Sequence, residues 1–309
     1  MQRKKNIQLL VSLSVMILAI ALVYIFNPFN TQSSVDKTIF QIPDLEKIDR
    51  VVLQSSHEKT ELKFNGTKWL VNGFDADPQL IKVLFATLKQ TEAKRKAAAH
   101  QQDSLQEKFL KDGTNVSCFE GDKLIKKFWS WGDVQKSETY FGLSGEAPYL
   151  VVIPGYRVFI ASVFALKQND WRNKRLFNFN WQNIKSLEVN FSADQKQNFK
   201  ASFSNGIFGI EGIKTDTTKL DVFMDALFEL RAEKILTAEQ IKKYDSLLMQ
   251  NIAEHISITD IGNQKYELSI FPLSKGSAKL VAKRNEDVVE INPLLLREIF
   301  RTKDYFKLK

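Results

Sequence analysis

The sequence predicts an α+β fold: an N-terminal transmembrane helix followed by two tandem copies of a mostly antiparallel strand–helix–strand–helix unit. Three observations predict it. An uncharged apolar run fills Ile7 to Phe26 behind Arg3, Lys4 and Lys5. The stretch FNGTKWLVNGFDADPQLIKVLF, Phe64 to Phe85, is restated about 140 residues later as FSNGIFGIEGIKTDTTKLDVFM, Phe203 to Met224. In both, Asn-Gly separates short alternating segments, the strongest short-range sign of a hairpin and hence of antiparallel pairing. The expected organisation is a cytoplasmic tip and anchor over 1–30, a short tether over 31–36, and repeat units over 37–177 and 178–309.

The anchor comes first in the chain. The run from Ile7 to Phe26 has about the 20 residues needed to cross a hydrocarbon core of ~30 Å. Tyr24 near its far end suits the interface, and basic residues before but not after the run place the N-terminus in the cytoplasm. The expected location is therefore the inner membrane, single-pass, with the body outside the cytoplasm. Ala19-Ile20-Ala21 is a formal cleavage site. Cutting there would leave Leu-Val-Tyr-Ile-Phe at the new N-terminus, so an uncleaved anchor is expected. No cysteine lies near the end of the run, which excludes a lipidated bacterial anchor.

The first unit opens with IDRVVLQ, Ile48 to Gln54, whose alternation marks a strand with one buried face. TELKF, the Asn65-Gly66 turn and KWLV continue it as a hairpin. Asp77-Pro78 starts a helix, since Asp caps exposed N–H groups and Pro is preset for the first turn. Leu80, Leu84 and Leu88 give that helix an apolar stripe, and it is expected to fade into TEAKRKAAAH. The second unit repeats the plan with IKSLEVN, FKASF, Asn205-Gly206, Asp216, and a helix carrying Leu220, Phe223, Leu227 and Leu230. VSCFEGDKLIKKFWSW and ISITDIGNQKYELSIF then read as strand–turn–strand, PYLVVIPG and DVVEINPL as short strands, and VFIASVFAL and LLLREIF as short helices. Two such units are expected to bury a shared face that neither would bury alone.

Composition bounds the chemistry. Of 309 residues, 44% are apolar and 26% charged, an ordinary globular mixture. Cys118 is the one cysteine, so no intrachain disulfide forms and the body is held by its core. The net charge is +8; three basic residues against one acidic residue in 1–36 leave +6 for the rest. Outside the cell membrane a basic body meets no nucleic acid. Its available partners are anionic headgroups or envelope polymers, membrane lipid through the N-terminal helix, and proteins of the cytoplasmic membrane.

No catalytic motif stands out, and no cofactor or metal is expected. His57, His100 and His255 are far apart, without ligand spacing. Cys118 falls at an apolar-periodic strand position and reads as a buried thiol. GLSGEAP places a Ser between two Gly, but before a strand rather than in a strand-to-helix turn. Asp77 and Asp216 read as helix caps.

Two features are candidates for binding. Trp129 and Trp131 are two apart on a strand and share a face. They can stack a sugar or a peptide proline, or they belong to the core or to a seam between the units, which is the expected reading. Arg172, Lys174 and Arg175 cluster in WRNKRLF where the units join. They are a solvated linker or a docking patch for an acidic partner, where Arg makes paired carboxylate contacts.

The anchor, the run IDRVVL…ELKFNGTKWLVNGFDADPQLIKVLFATL, Gly132, ETYF, PYLVV and DWRNKRLFNFNWQNIKSLEV together resemble the bacterial family catalogued as Domain of Unknown Function 4340. The Trp69-to-Asp77 turn and the run from Trp171 to Phe177 carry the likeness best. The resemblance implies a membrane-attached envelope protein, of a kind often encoded beside ABC-type transporter components, including auxiliary subunits named for gliding motility. It implies no enzyme activity and no catalytic residues. The expected function is thus a non-enzymatic accessory or scaffold protein of an envelope complex. The alternatives are a glycan- or peptide-binding module, and a hydrolase without a recognisable motif.

Overall fold

The computed structural model describes residues 12–21, 35–273 and 279–308. Two antiparallel sheets dominate it. The first holds β1 (Arg50–Gln54), β2 (Lys59–Phe64), β3 (Trp69–Val71), β4 (Phe74–Asp75), β5 (Glu92–Lys96), β6 (Thr114–Glu120), β7 (Lys123–Asp133), β8 (Glu138–Gly142) and β9 (Tyr149–Val152). Its order is β4-β3-β2-β1-β6-β7-β8-β9-β5. The second holds β10 (Ile184–Phe191), β11 (Phe199–Ser204), β12 (Ile207–Ile210), β13 (Lys234–Ile235), β14 (Glu254–Asp260), β15 (Lys265–Ile270), β16 (Leu280–Arg284) and β17 (Asp287–Ile291). Its order, β12-β11-β10-β14-β15-β16-β17-β13, is that of the first sheet without β4.

Period-2 alternation builds both sheets. Val51 and Leu53 of β1 face in while Arg50 and Val52 are part-exposed, and Leu187, Val189 and Phe191 of β10 do the same. One long helix covers the main face of each sheet: α1 (Pro78–Gln90) on the first, and below, on the second, its counterpart Thr217–Glu229. Asp77 accepts a hydrogen bond from the Gln79 N–H and Asp216 from the Lys219 N–H, each closing the helix start. Leu84 and Phe223, seventh in their helices, are both buried. The opposite face has its own cover over β7–β9 and β15–β17. This is α2 (Ala99–Asp112) in the first unit and three short turns, Ala238–Ile241, Lys242–Tyr244 and Asp245–Leu248, in the second. With α2 placed, Thr217–Glu229 is α3.

Several expectations are corrected. The α+β fold with an N-terminal transmembrane helix gives way to a mostly antiparallel β structure. Among the described residues no helix is long and apolar enough to cross a membrane. The described helical stretch at 12–21 covers ten residues of the expected span. The rest of the expected 7–26 span lies outside the described residues. The expected helix tails are strands: Thr91 ends α1, its hydroxyl donating to the Thr87 carbonyl at 2.7 Å, and EAKRK becomes the edge strand β5. Ala93 turns inward there while Lys94, Arg95 and Lys96 face solvent, a charged edge that discourages further pairing. The short helices expected in VFIASVFAL and LLLREIF are present, each about a turn or two long, at Ala161–Phe164 and at Pro293–Leu295 with Leu296–Ile299.

The two Asn-Gly turns also differ. Asn205 and Gly206, both at positive φ, form a two-residue turn between Ser204 and Ile207. Asn65-Gly66 instead opens a four-residue loop between Phe64 and Trp69, closed by the Asn65 carboxamide accepting from the Thr67 and Lys68 N–H groups.

The units do not share a core either. One cluster runs from Phe40 to Trp171, the other from Leu176 to Phe306. Each sheet's apolar face is closed by its own long helix, so no open face is left for the partner unit.

Candidate functional site

What joins the two sheets is the segment Trp171 to Phe177, held by backbone hydrogen bonds on both sides. The Asp77 N–H donates to the Trp171 carbonyl at 2.7 Å and the Asn173 N–H to the Asp75 carbonyl at 2.8 Å. Two residues on, the Ala232 N–H donates to Lys174 at 2.7 Å and the Leu176 N–H to Leu230 at 2.9 Å. Trp171 is buried in the first core, Leu176 and Phe177 in the second. The second unit closes on its own end in the same way: the Asp216 N–H donates to Phe306 at 2.8 Å and Leu308 to Lys214 at 2.9 Å.

Side chains reinforce the joint. The Arg172 guanidinium lies 3.9 Å from the Phe74 ring centre and donates to Asp287 Oδ2 at 2.6 Å. Arg284 of β16 donates to the same oxygen at 2.7 Å and to the carbonyls of Asn173 and Arg175 at 3.0 and 2.9 Å. Burial alone would raise the Asp287 carboxyl. The hydrogen bonds and charges of Arg284 and Arg172 outweigh it and hold the group below the usual carboxylate range. Arg172 is buried, and its Nε finds no partner among the described residues.

These residues line a cleft of ≈ 380 Å³ between the sheets. Lys68 closes on Asp75 at 2.6 Å at its rim. Arg175 stacks on Phe228 at 4.5 Å, and among the described residues it pairs with no carboxylate. Four cations thus meet two carboxylates, in a polar setting completed by Asn178, Gln264, Tyr266 and Asn285. Of the basic residues singled out in the sequence, Arg172 and Arg175 line the cleft. Lys174 does not line it; its carbonyl accepts from the Ala232 N–H.

A family model described as Domain of unknown function (DUF4340) matches residues 69–246. The chain belongs to this family. The DUF4340 match runs from β3 into the turn that opens at Asp245; the joining segment Trp171 to Phe177 lies within it, while Arg284 and Asp287 lie beyond its end. No curated protein and no solved structure matches the chain.

Elsewhere in this DUF4340 chain, Trp129 and Trp131 do share a face of β7, and that face is the floor of α2. Both pack on the small core of Leu105, Phe109, Tyr140 and Leu150. A Cβ on Gly142, beside Trp129, would stand 2.6 Å from the Phe109 ring, so only glycine admits so close a helix. Trp131 keeps a part-exposed edge under the Lys108 ammonium, 4.4 Å from its ring centre. The structure does not bring the tryptophans and the arginines together in the junction cleft.

Cys118 is fully buried, and burial pushes its thiol up to about 12. His57 lies in an exposed turn, His100 in the first turn of α2, and His255 Nδ1 is 3.0 Å from Ser269 Oγ. Among the described residues no group of three or more His, Cys, Asp or Glu is placed to hold a metal ion.

Sequence reasoning missed Glu254, fully buried on β14 with neither carboxylate oxygen partnered among the described residues. Burial raises its carboxyl to about 9. The signal was present: Glu254, Ile256 and Ile258 are in phase on one face of a strand.

Proposed function

We propose that this DUF4340 chain is a non-enzymatic accessory protein of an envelope complex, such as an ABC-type transporter system. In this reading it is held at the cytoplasmic membrane, its body lies on the extracytoplasmic side, and it docks a protein partner at the joint between its sheets. The observation that carries the reading is the junction cleft. It is built from both units, its walls are fixed by the Arg172–Asp287–Arg284 cluster, and it holds more positive than negative charge.

Attachment to the membrane is supported by the uncharged run in the sequence. Within it, residues 12–21 leave Leu13, Met16, Ile17 and Ile20 more than half exposed. Such a stripe is stable only against an apolar medium or partner.

The test is capture from detergent-solubilised membranes with tagged full-length chain. The expected outcome is that the chain sediments with carbonate-washed membranes and brings down a membrane protein. Recovery of the chain alone from cross-linked membranes, or its appearance in the cytoplasmic fraction, defeats the proposal.

A further inference from the structure

The junction cleft's charge is unbalanced in a specific way. Lys68 is matched by Asp75. Arg172 and Arg284 converge on a single oxygen of Asp287, so two cations share one negative charge. Arg175, over the Phe228 ring, brings a further charge without a paired carboxylate among the described residues. Arg172 is buried with its Nε donor unpartnered, and it lines the cleft. A buried cationic donor left without an acceptor is unfavourable, and an anion entering the cleft would relieve it.

We propose that this cleft binds a carboxylate side chain of an acidic peptide segment in a protein partner, with Arg175 as the principal contact. The proposal rests on the partner-docking reading above and names the chemistry of the partner. Guanidinium groups are planar donors matched to carboxylates, and they remain charged at all working pH. The size agrees: ≈ 380 Å³ lies at the small end of ligand pockets and takes one or two side chains rather than a folded surface. The rim agrees as well. Asn178, Gln264 and Asn285 each offer both a donor and an acceptor, the pairing that flanking peptide groups need.

The test uses full-length chain purified in detergent. The probe is a fluorescent ten-residue peptide alternating Glu and Gly, with blocked termini, followed by anisotropy. Its control has Gln in place of Glu. Binding of the Glu peptide is expected to exceed that of the Gln peptide by at least about tenfold, one charge-assisted contact's worth. It should fall several-fold between about 50 and 500 mM salt. Arg175→Gln should weaken it about tenfold. Lys68→Gln, at the exposed rim and uninvolved in the cores, should weaken it too, so the result does not depend on one variant folding. Lys242→Gln removes the same charge outside the cleft and should change nothing.

Equal losses in Arg175→Gln and Lys242→Gln would mean diffuse attraction to a basic protein, and would overturn the site. Displacement of the peptide by glutarate or inorganic phosphate at equal or lower concentration would overturn the peptide assignment in favour of a small anion. The two readings separate cleanly. If Arg175→Gln abolishes peptide binding but captures the same membrane partner, the cleft does not dock that partner and the inference falls while the accessory role stands. If the peptide binds as expected and no membrane partner is captured, the accessory role falls and the site stands.

Discussion

Glu254 and Asp287 lie on strands of one sheet and are shifted in opposite directions. Among the described residues Glu254 has no partner, and burial raises its carboxyl from 4.5 to about 9. Folding therefore holds a proton that the unfolded chain releases above its ordinary value. Between about 4.5 and 9 this group lowers stability by about 1.4 kcal/mol for each pH unit gained. Glu254→Gln should remove that slope. Its melting temperature should exceed the parent's at pH 8 and approach it at pH 5; parallel pH curves would show that the carboxyl is ionised and solvated. Asp287 is the reverse case, held low by two guanidinium groups. Its contribution is present above the ordinary aspartate range and lost as pH falls through the lowered value. Cys118, with its thiol near 12, should react with iodoacetamide only on unfolding. Labelling of native protein at the rate of a free thiol would contradict its burial. The buried thiol was legible from its strand phase. The lone acid was legible as a wrong residue in a right phase, but what surrounds it is a matter of packing that one sequence does not state.

At the scale of elements, the helix starts were the most legible part, because a cap is a local event. Asp77 and Asp216 each precede a run with apolar spacing, and each accepts from its own helix's N–H groups. Asp77→Ala should cost about 1 kcal/mol in denaturant unfolding, the ordinary loss of a cap. Leu84→Ala and Phe223→Ala, each removing a large side chain from a closed core, should cost about 2–5 kcal/mol. A cost for Leu84→Ala no larger than for Asp77→Ala would place that helix outside the core. The helix ends were illegible, because EAKRK carries no strand-specific residue type. It is a strand because β9 offers it an open edge, a fact fixed about sixty residues away. The tryptophan face stayed open between core, seam and ligand site for the same kind of reason. Alternation puts Trp129 and Trp131 on one side of β7, but only the tertiary path of α2 determines that this side is covered.

For the whole molecule the balance lies between two closed cores and one joint. Separate cores mean that each sheet has its own reason to fold, and the joint adds an orientation rather than a shared interior. The joining segment is itself divided. Trp171 belongs to the first core and Leu176 and Phe177 to the second, with the turn of allegiance falling across Arg172 to Arg175. A boundary placed after Phe177, natural from the spacing of the repeats, would remove from the second unit two side chains buried to 3% and 0% exposure. It would also remove the Leu176–Leu230 backbone bond and both carbonyls that Arg284 serves. Arg284 would keep only Asp287. A segment of residues 172–309 should therefore be more stable than one of residues 178–309. The two lost side chains alone set the scale, at about 2–5 kcal/mol apiece for large apolar groups taken from a core. The orphaned guanidinium donors add to this in the same direction. Urea unfolding of the two segments side by side measures the difference. Equal midpoints would mean that Leu176 and Phe177 do not belong to the second core, and that the joint holds the sheets together without being part of either.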